Sequence, residues 1–269
     1  MKDMITICIP AGTFVMGTSE KQIEQLAQQD SLAKTWKTRN YFDREQPQHK
    51  VTLALFSIAK YPVTVGEYRE FIEDDGYQIR EYWTETGWLW RKSINRIQPK
   101  YWSEQKWKLS DKLPVVGVSC YEAIAFCDWL SEKLEKTVCL PTEAEWEKAG
   151  RGTDGRLYPW GENFNIKYCN TRESNLNKTI PVDENDSRCE SPYGCVDMAG
   201  NTSEWTKSEF KQYPYVGNDG RNEIEGEKIR VTRGGSWFKP KIRARVSARG
   251  MNDPFFSDND LGFRYVCKE

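Results

Sequence analysis

The chain has 269 residues, 39 basic and 40 acidic side chains, a formal net charge of −1, and 38% hydrophobic against 29% charged residues. That is enough apolar chain to bury a proper core, which excludes disorder, and it leaves no global field to recruit nucleic acid or an acidic membrane. No apolar run approaches the ~20 residues of a membrane helix, and the start Met1-Lys2-Asp3-Met4 lacks a secretory signal, so the expectation is a soluble, cytoplasmic protein.

In chain order, Ile5-Thr6-Ile7-Cys8-Ile9 alternates and Pro10-Ala11-Gly12 separates it from Thr13-Phe14-Val15-Met16-Gly17, which predicts a hairpin. Ser19 caps a helix carrying Ile23, Leu26 and Ala27, and this helix is expected to fade into the polar residues 37–40 as a mobile insertion. Residues 51–58 read as one strand. Capping boxes at Thr64/Glu67, Ser119/Glu122 and Thr142/Glu145 open three helices, the first over 65–75. Between the first two, residues 82–107 hold seven Trp and Tyr among many charges with no period, which predicts a long loop pinned by aromatics. From Gly150 to about Arg221 regular structure should be sparse; strands then follow at 229–233, 242–249 and 261–266. No repeat or linker divides 1–269, which reads as a single domain.

The residues that could carry chemistry are few. Eight cysteines include no Cys-x-x-Cys pair, so structural zinc is not expected and the default is buried reduced thiols, with one or two disulfides left open. His49 is the sole histidine, which rules out His-rich metal sites within one chain, and its place before an apolar run favours a structural hydrogen-bonding role over catalysis. No phosphate-binding glycine motif occurs. Residues 228–249 are strongly basic around Trp237 and Phe238, a pattern that binds single-stranded nucleic acid. Arg243, Arg245 and Arg249 fall on the solvent side of the predicted strand, however, so a solvated or internally paired face is preferred and nucleic acid ranks last. The stretch Asp197 to Glu204 packs two carboxylates and a flexible glycine into one turn, where oxygens can converge on a hard cation; a turn held by Asp and Asn hydrogen bonds alone is the other reading.

The segments Ile9–Gly17, Tyr61-Pro62-Val63-Thr64, Pro114–Ser119, Leu140–Glu147, Tyr158-Pro159-Trp160-Gly161, Gly200–Trp205, Arg233-Gly234-Gly235-Ser236-Trp237 and Leu261-Gly262-Phe263-Arg264, taken in order, resemble the formylglycine-generating-enzyme (sulfatase-modifying factor) superfamily across nearly the whole chain. The resemblance implies an α+β, C-type-lectin-like fold with little regular secondary structure. It also implies structural calcium at Asp197, Gly200, Thr202 and Glu204, a weaker second site at Asn170, and Cys127 adjacent to Cys267 with a bridge left open. The catalytic members carry two copper-binding cysteines shortly after the Gly-Gly-Ser turn; residues 237–245 contain none, so no copper is expected and no catalytic residue is assigned. The segment therefore looks like the non-catalytic branch, which includes variable proteins of diversity-generating retroelements and modules of defence or signalling proteins. That branch implies a protein or peptide ligand held by Trp237, Phe238, Lys239, Lys241, Arg243, Arg245, Phe255, Phe256, Ser257 and Asp258. The alternative is an oxidoreductase acting on peptide cysteine through displaced thiols such as Cys189 or Cys195.

Overall fold

The computed structural model describes residues 4–184 and 186–268. Its helices begin where capping chemistry directs them. Ser19 and Gln22 cap α1 (Glu20–Gln29) reciprocally, and Asp30 ends α1 while accepting from the amides of Leu32 (2.8 Å) and Ala33 (3.0 Å) to open α2 (Ser31–Thr38). The first helical region is thus two helices instead of one that fades. Ile23, Leu26, Ala33 and Trp36 are buried against Phe42, Leu157, Tyr158 and Ile242, so the region is a packed part of the core and the reading as a mobile insertion is corrected. The three expected capping boxes open α3 (Val65–Glu73), α5 (Cys120–Leu134) and α6 (Glu143–Arg151). Between α3 and α5 lies α4 (Glu85–Ser93), capped by the Thr84 hydroxyl at the amide of Gly87 (3.1 Å). The expected loop therefore contains a helix: a Thr cap and a turn of good helix formers outweigh its irregular aromatic spacing.

Ten strands form three sheets among the described residues. The first orders β1 (Thr6–Ile9), β4 (Phe56–Ala59), β10 (Val266–Lys268) and β5 (Thr137–Cys139), all antiparallel. The second pairs β2 (Gly12–Met16) with β3 (His49–Leu53). The predicted hairpin is therefore two strands in separate sheets, and the single strand over 51–58 is likewise split between β3 and β4. The third sheet orders β8 (Gly250–Asn252), β7 (Arg230–Arg233), β6 (Ser203–Glu209) and β9 (Leu261–Phe263), with β6 and β9 parallel. The main core packs α5 against α3 and the ends of the sheets through Tyr68, Phe71, Phe126, Trp129 and Phe263.

Residues 242–249 are not a strand: Lys241–Ala244 forms a 3-10 helix, and a second turn, closed by the Ala248 amide on the Arg245 carbonyl (2.9 Å), leads into β8. All eight cysteines are free thiols, and Cys127 and Cys267 share the main apolar cluster without a bridge. No described helix is long and apolar enough to cross a membrane.

Candidate functional site: a basic cleft on the third sheet

Beneath the third sheet lies a layer of buried ion pairs. Both oxygens of Glu143 accept from Arg249 (2.9 and 3.0 Å), and Arg233 reaches Glu143 (2.9 Å) and Glu147 (3.0 Å), all with side chains fully shielded from solvent. Burial alone would raise the Glu147 carboxyl, but Arg233 and Arg151 hold it below its ordinary value. Arg245 forks onto Glu45 (2.7 and 3.0 Å). A buried charge is tolerated only with a partner of this quality, and that requirement overrides the alternation of the sequence: Arg245 and Arg249 lie inside the molecule, not on its solvent side. The basic stretch is an internally paired face in these positions.

Above this layer a cleft of about 290 Å³ opens between β8, β7, the Gly-Gly-Ser turn and the loop before β9. Gly235 lies in its wall at φ +68°, where a Cβ would stand 2.8 Å from the carbonyl of Arg243, so only glycine lets the two segments close. Four cations line the cleft, Arg44, Arg233, Lys239 and Arg243, against one carboxylate, Asp260. Asp260 is held by the Ser236 hydroxyl (2.6 Å) and faces the Lys239 ammonium at 3.6 Å. Burial and then the neighbouring Arg44 lower the Arg243 guanidinium to about 10. Met251 and Phe256, respectively 45% and 41% exposed, give the cleft an apolar side. No cysteine and no histidine lines it.

Of the ten expected ligand-binding residues, Lys239, Arg243 and Phe256 meet in this cleft. Phe238 and Phe255 are exposed nearby in sequence, so neither Phe of the Phe255-Phe256 pair is taken by the core. The others are placed differently. Trp237 is buried against Trp107, with its indole N–H donating to the Asn259 carbonyl (3.2 Å). Arg245 is consumed by Glu45, and buried Ser257 accepts from Arg96 (3.1 Å). Asp258 accepts from the Tyr101 hydroxyl (3.0 Å), and Lys241 is paired with Asp30 (3.0 Å). These five are framework: their polar groups answer other segments of the chain. Arg44, Met251 and Asn252 line the cleft although their sequence surroundings carry no pattern that marks them, and Asp260, directly before the Leu261-Gly262-Phe263-Arg264 motif, lines it as well.

The Asp197 turn is built from backbone that only special residues adopt. Asp197 and Asn201 take φ of 57° and 62°, and a Cβ on Gly200 would stand 2.5 Å from the Asn170 carbonyl. Asn201 clamps the turn by donating to Asp197 (2.7 Å) and the Ile180 carbonyl (3.1 Å) while accepting from the Ile180 amide (3.0 Å). Both oxygens of Glu204 belong to Arg264 (2.6 and 2.7 Å), and one also accepts from the Trp146 indole (2.7 Å). The Asn170 side chain is engaged with Ser174 and the Lys178 carbonyl. The Glu204 carboxylate thus already faces a guanidinium, and a cation at this turn would have to be held by the remaining oxygens of the set. Among the described residues no group of three or more His, Cys, Asp or Glu side chains is placed to hold a metal ion.

Cys195 is buried in an apolar cluster with its thiol pushed up to about 11, and neither it nor buried Cys189 reaches the cleft. His49 has the structural role its sequence position suggests: Nε2 accepts from the Tyr215 amide (2.8 Å), so Nδ1 carries the proton toward the Pro47 carbonyl (2.8 Å).

Against known proteins, the sulfatase-modifying factor enzyme 1-like domain matches residues 2–269. The chain is 29% identical to the inactive C-alpha-formylglycine-generating enzyme 2 of Mus musculus, over 98% of this chain and 85% of that protein. Other curated relatives are longer, and the chain spans about half of their length, 53% of one Bacillus subtilis protein and 58% of a Mycolicibacterium smegmatis one. Among solved structures, PvdO from Pseudomonas aeruginosa superposes with a TM-score of 0.73 at 26% identity, covering 98% of this chain and 94% of PvdO. Treponema denticola variable protein 1 shares the fold, with a TM-score of 0.69 at 23% identity over 99% and 95% of the two chains. With its α+β, C-type-lectin-like architecture, the chain belongs to the sulfatase-modifying factor enzyme 1-like (formylglycine-generating-enzyme-like) family.

Proposed function

We propose that this chain is a non-catalytic binding module that takes a protein or peptide ligand in the cleft on the third sheet. One observation carries the reading: the cleft combines a rigid, ion-paired floor with exposed Phe256 and Met251 at its side, and its lining holds none of the thiol or imidazole groups that redox chemistry of the parent class would use. The family includes a relative named as inactive and shares its fold with a variable protein, which is the company a scaffold used for display would keep. The scaffold in this proposal is held by buried ion pairs.

The test is panning of a displayed random-peptide library against the folded chain, followed by comparison with Phe256→Ala. Convergent peptides whose capture drops roughly tenfold in the variant are the expected result, since truncating an aromatic anchor removes ~1–2 kcal/mol of binding. A library without convergent binders, or peptides that bind the variant equally well, would overturn it.

A further inference from the structure

The cations of the cleft differ in what they have to neutralise them. Arg233 is held by Glu143 and Glu147, and Lys239 faces Asp260. Arg44 and Arg243 have no carboxylate within ion-pair distance among the described residues. The carboxylate of Glu45, next in the chain to Arg44, has both oxygens on Arg245. Arg243 rests its guanidinium on the Trp36 ring (4.4 Å to the centroid) and spends one N–H on the Arg249 carbonyl (3.2 Å). Arg44 lies over Tyr41 (5.7 Å).

The two residues are also tied together through Arg249. Arg249, locked by both its Glu143 bonds, donates to the Arg44 carbonyl (2.7 Å) and accepts from the Arg243 guanidinium, so a single buried residue fixes the backbone of one cation and the side chain of the other. Confining two half-buried guanidiniums beside each other costs free energy through repulsion and lost hydration. A ligand oxyanion that accepted from both would remove the repulsion and would meet the Arg243 donors already in position, which lowers the ordering cost on binding.

We propose that Arg44 and Arg243 form a seat for an oxyanion, a carboxylate or a phosphate ester, carried on a side chain of the peptide ligand, with Phe256 and Met251 receiving the apolar group beside it. The assignment rests on the reading of the cleft as a peptide site and names what that peptide must carry.

The experiment follows arginine Nε–H signals of the ¹⁵N-labelled full chain during titration with phenyl phosphate, 3-phenylpropionate and, as the neutral counterpart, benzyl alcohol. Arg44→Gln and Arg243→Gln assign the two signals. The expected result is a saturable shift of both signals with at least one of the anions, none with benzyl alcohol, and an affinity at least ~10-fold lower in Arg44→Gln. The stronger anion then tells an acidic peptide from a phosphorylated one, and either order supports the seat. No saturable shift, or an Arg44→Gln variant that binds like the parent, overturns it. Should Arg243→Gln fail to fold for loss of its packing on Trp36, Arg243→Lys keeps the charge without the fork and should bind more weakly than the parent; unchanged binding counts against the seat. Panned peptides that occupy the cleft without an acidic or phosphorylated residue and ignore Arg44→Gln would remove the seat and leave the peptide site standing. Anion binding with no convergent peptide would do the reverse.

Discussion

Arg249 and Arg243 come from one short segment of chain and differ in the charge opposite them. Arg249 is wholly buried with both bonds of its fork on Glu143, whereas Arg243 is half-buried, faces a cleft and has an aromatic ring and one carbonyl for company. The first arrangement is structural, because a guanidinium so deeply buried is tolerable only while the carboxylate is present. The second leaves donors unused at a surface, which is the condition under which an outside anion can compete with water. Residue type does not separate framework from site here; the presence of a partner does.

The sharpest way to break this contrast is to remove the partner. Glu143→Ala leaves Arg249 with an uncompensated buried charge and Arg233 with Glu147 alone, and should cost about 4–5 kcal/mol, at the upper end for a broken buried pair, read as the urea midpoint with circular dichroism. A loss under about 2 kcal/mol would mean that water already reaches this layer. Next in size, Glu204→Gln takes the charge from the group that neutralises Arg264 and should cost about 2–4 kcal/mol. The same chain treated with a calcium chelator should keep its midpoint within about 0.5 kcal/mol, since a guanidinium and not a metal is opposite Glu204; a fall on chelation would return calcium to the Asp197 turn.

What could be read from the sequence follows the range of the interaction. The capping boxes at Thr64, Ser119 and Thr142 are decided within four residues, and each helix starts where they place it. Strand positions near Ile7 and Phe14 are also local, but their partners are not: β1 pairs with β4 and β2 with β3, and neither distance is written in the hairpin-like spacing between them. The alternation over Ile242, Ala244, Val246 and Ala248 correctly marks buried positions, yet it misplaces Arg245 and Arg249 because Glu45 and Glu143, which bury them, are some 200 and 106 residues away. Of the site, Lys239, Arg243 and Phe256 were legible because the family motifs bracket them, whereas Arg44 sits in a polar stretch with no period and reaches the cleft only through the fold. The absence of thiols after Gly-Gly-Ser needs no structure, since it is read directly from residues 237–245.

Asp128 on α5 asks whether an unpaired charge is enough to mark a site. Burial pushes its carboxyl up to about 6, and no cation opposes that shift. Because the folded value lies above the ~3.9 of an unfolded aspartate, the folded state holds the proton more tightly between the two. The contribution of Asp128 to stability is therefore greatest below about pH 4 and is lost as pH rises through about 6. Asp128→Asn should raise stability by about 1–2 kcal/mol at pH 7 and by nothing near pH 4. Asp128 does not line the basic cleft, so its isolation is only a cost; Arg243 differs by having a second cation beside it and space in front.

The smallest effect is the most diagnostic. Arg44→Gln deletes one of two like charges and no ion pair, so it should leave folding stability within about 0.5 kcal/mol of the parent, with any change toward greater stability, because repulsion on Arg243 is relieved. Its midpoint would rise with falling ionic strength relative to the parent, since the deleted repulsion is strongest when least screened. A loss of 2 kcal/mol or more would show that Arg44 is as firmly partnered as Arg249, and the distinction between the floor of the cleft and its mouth would no longer hold.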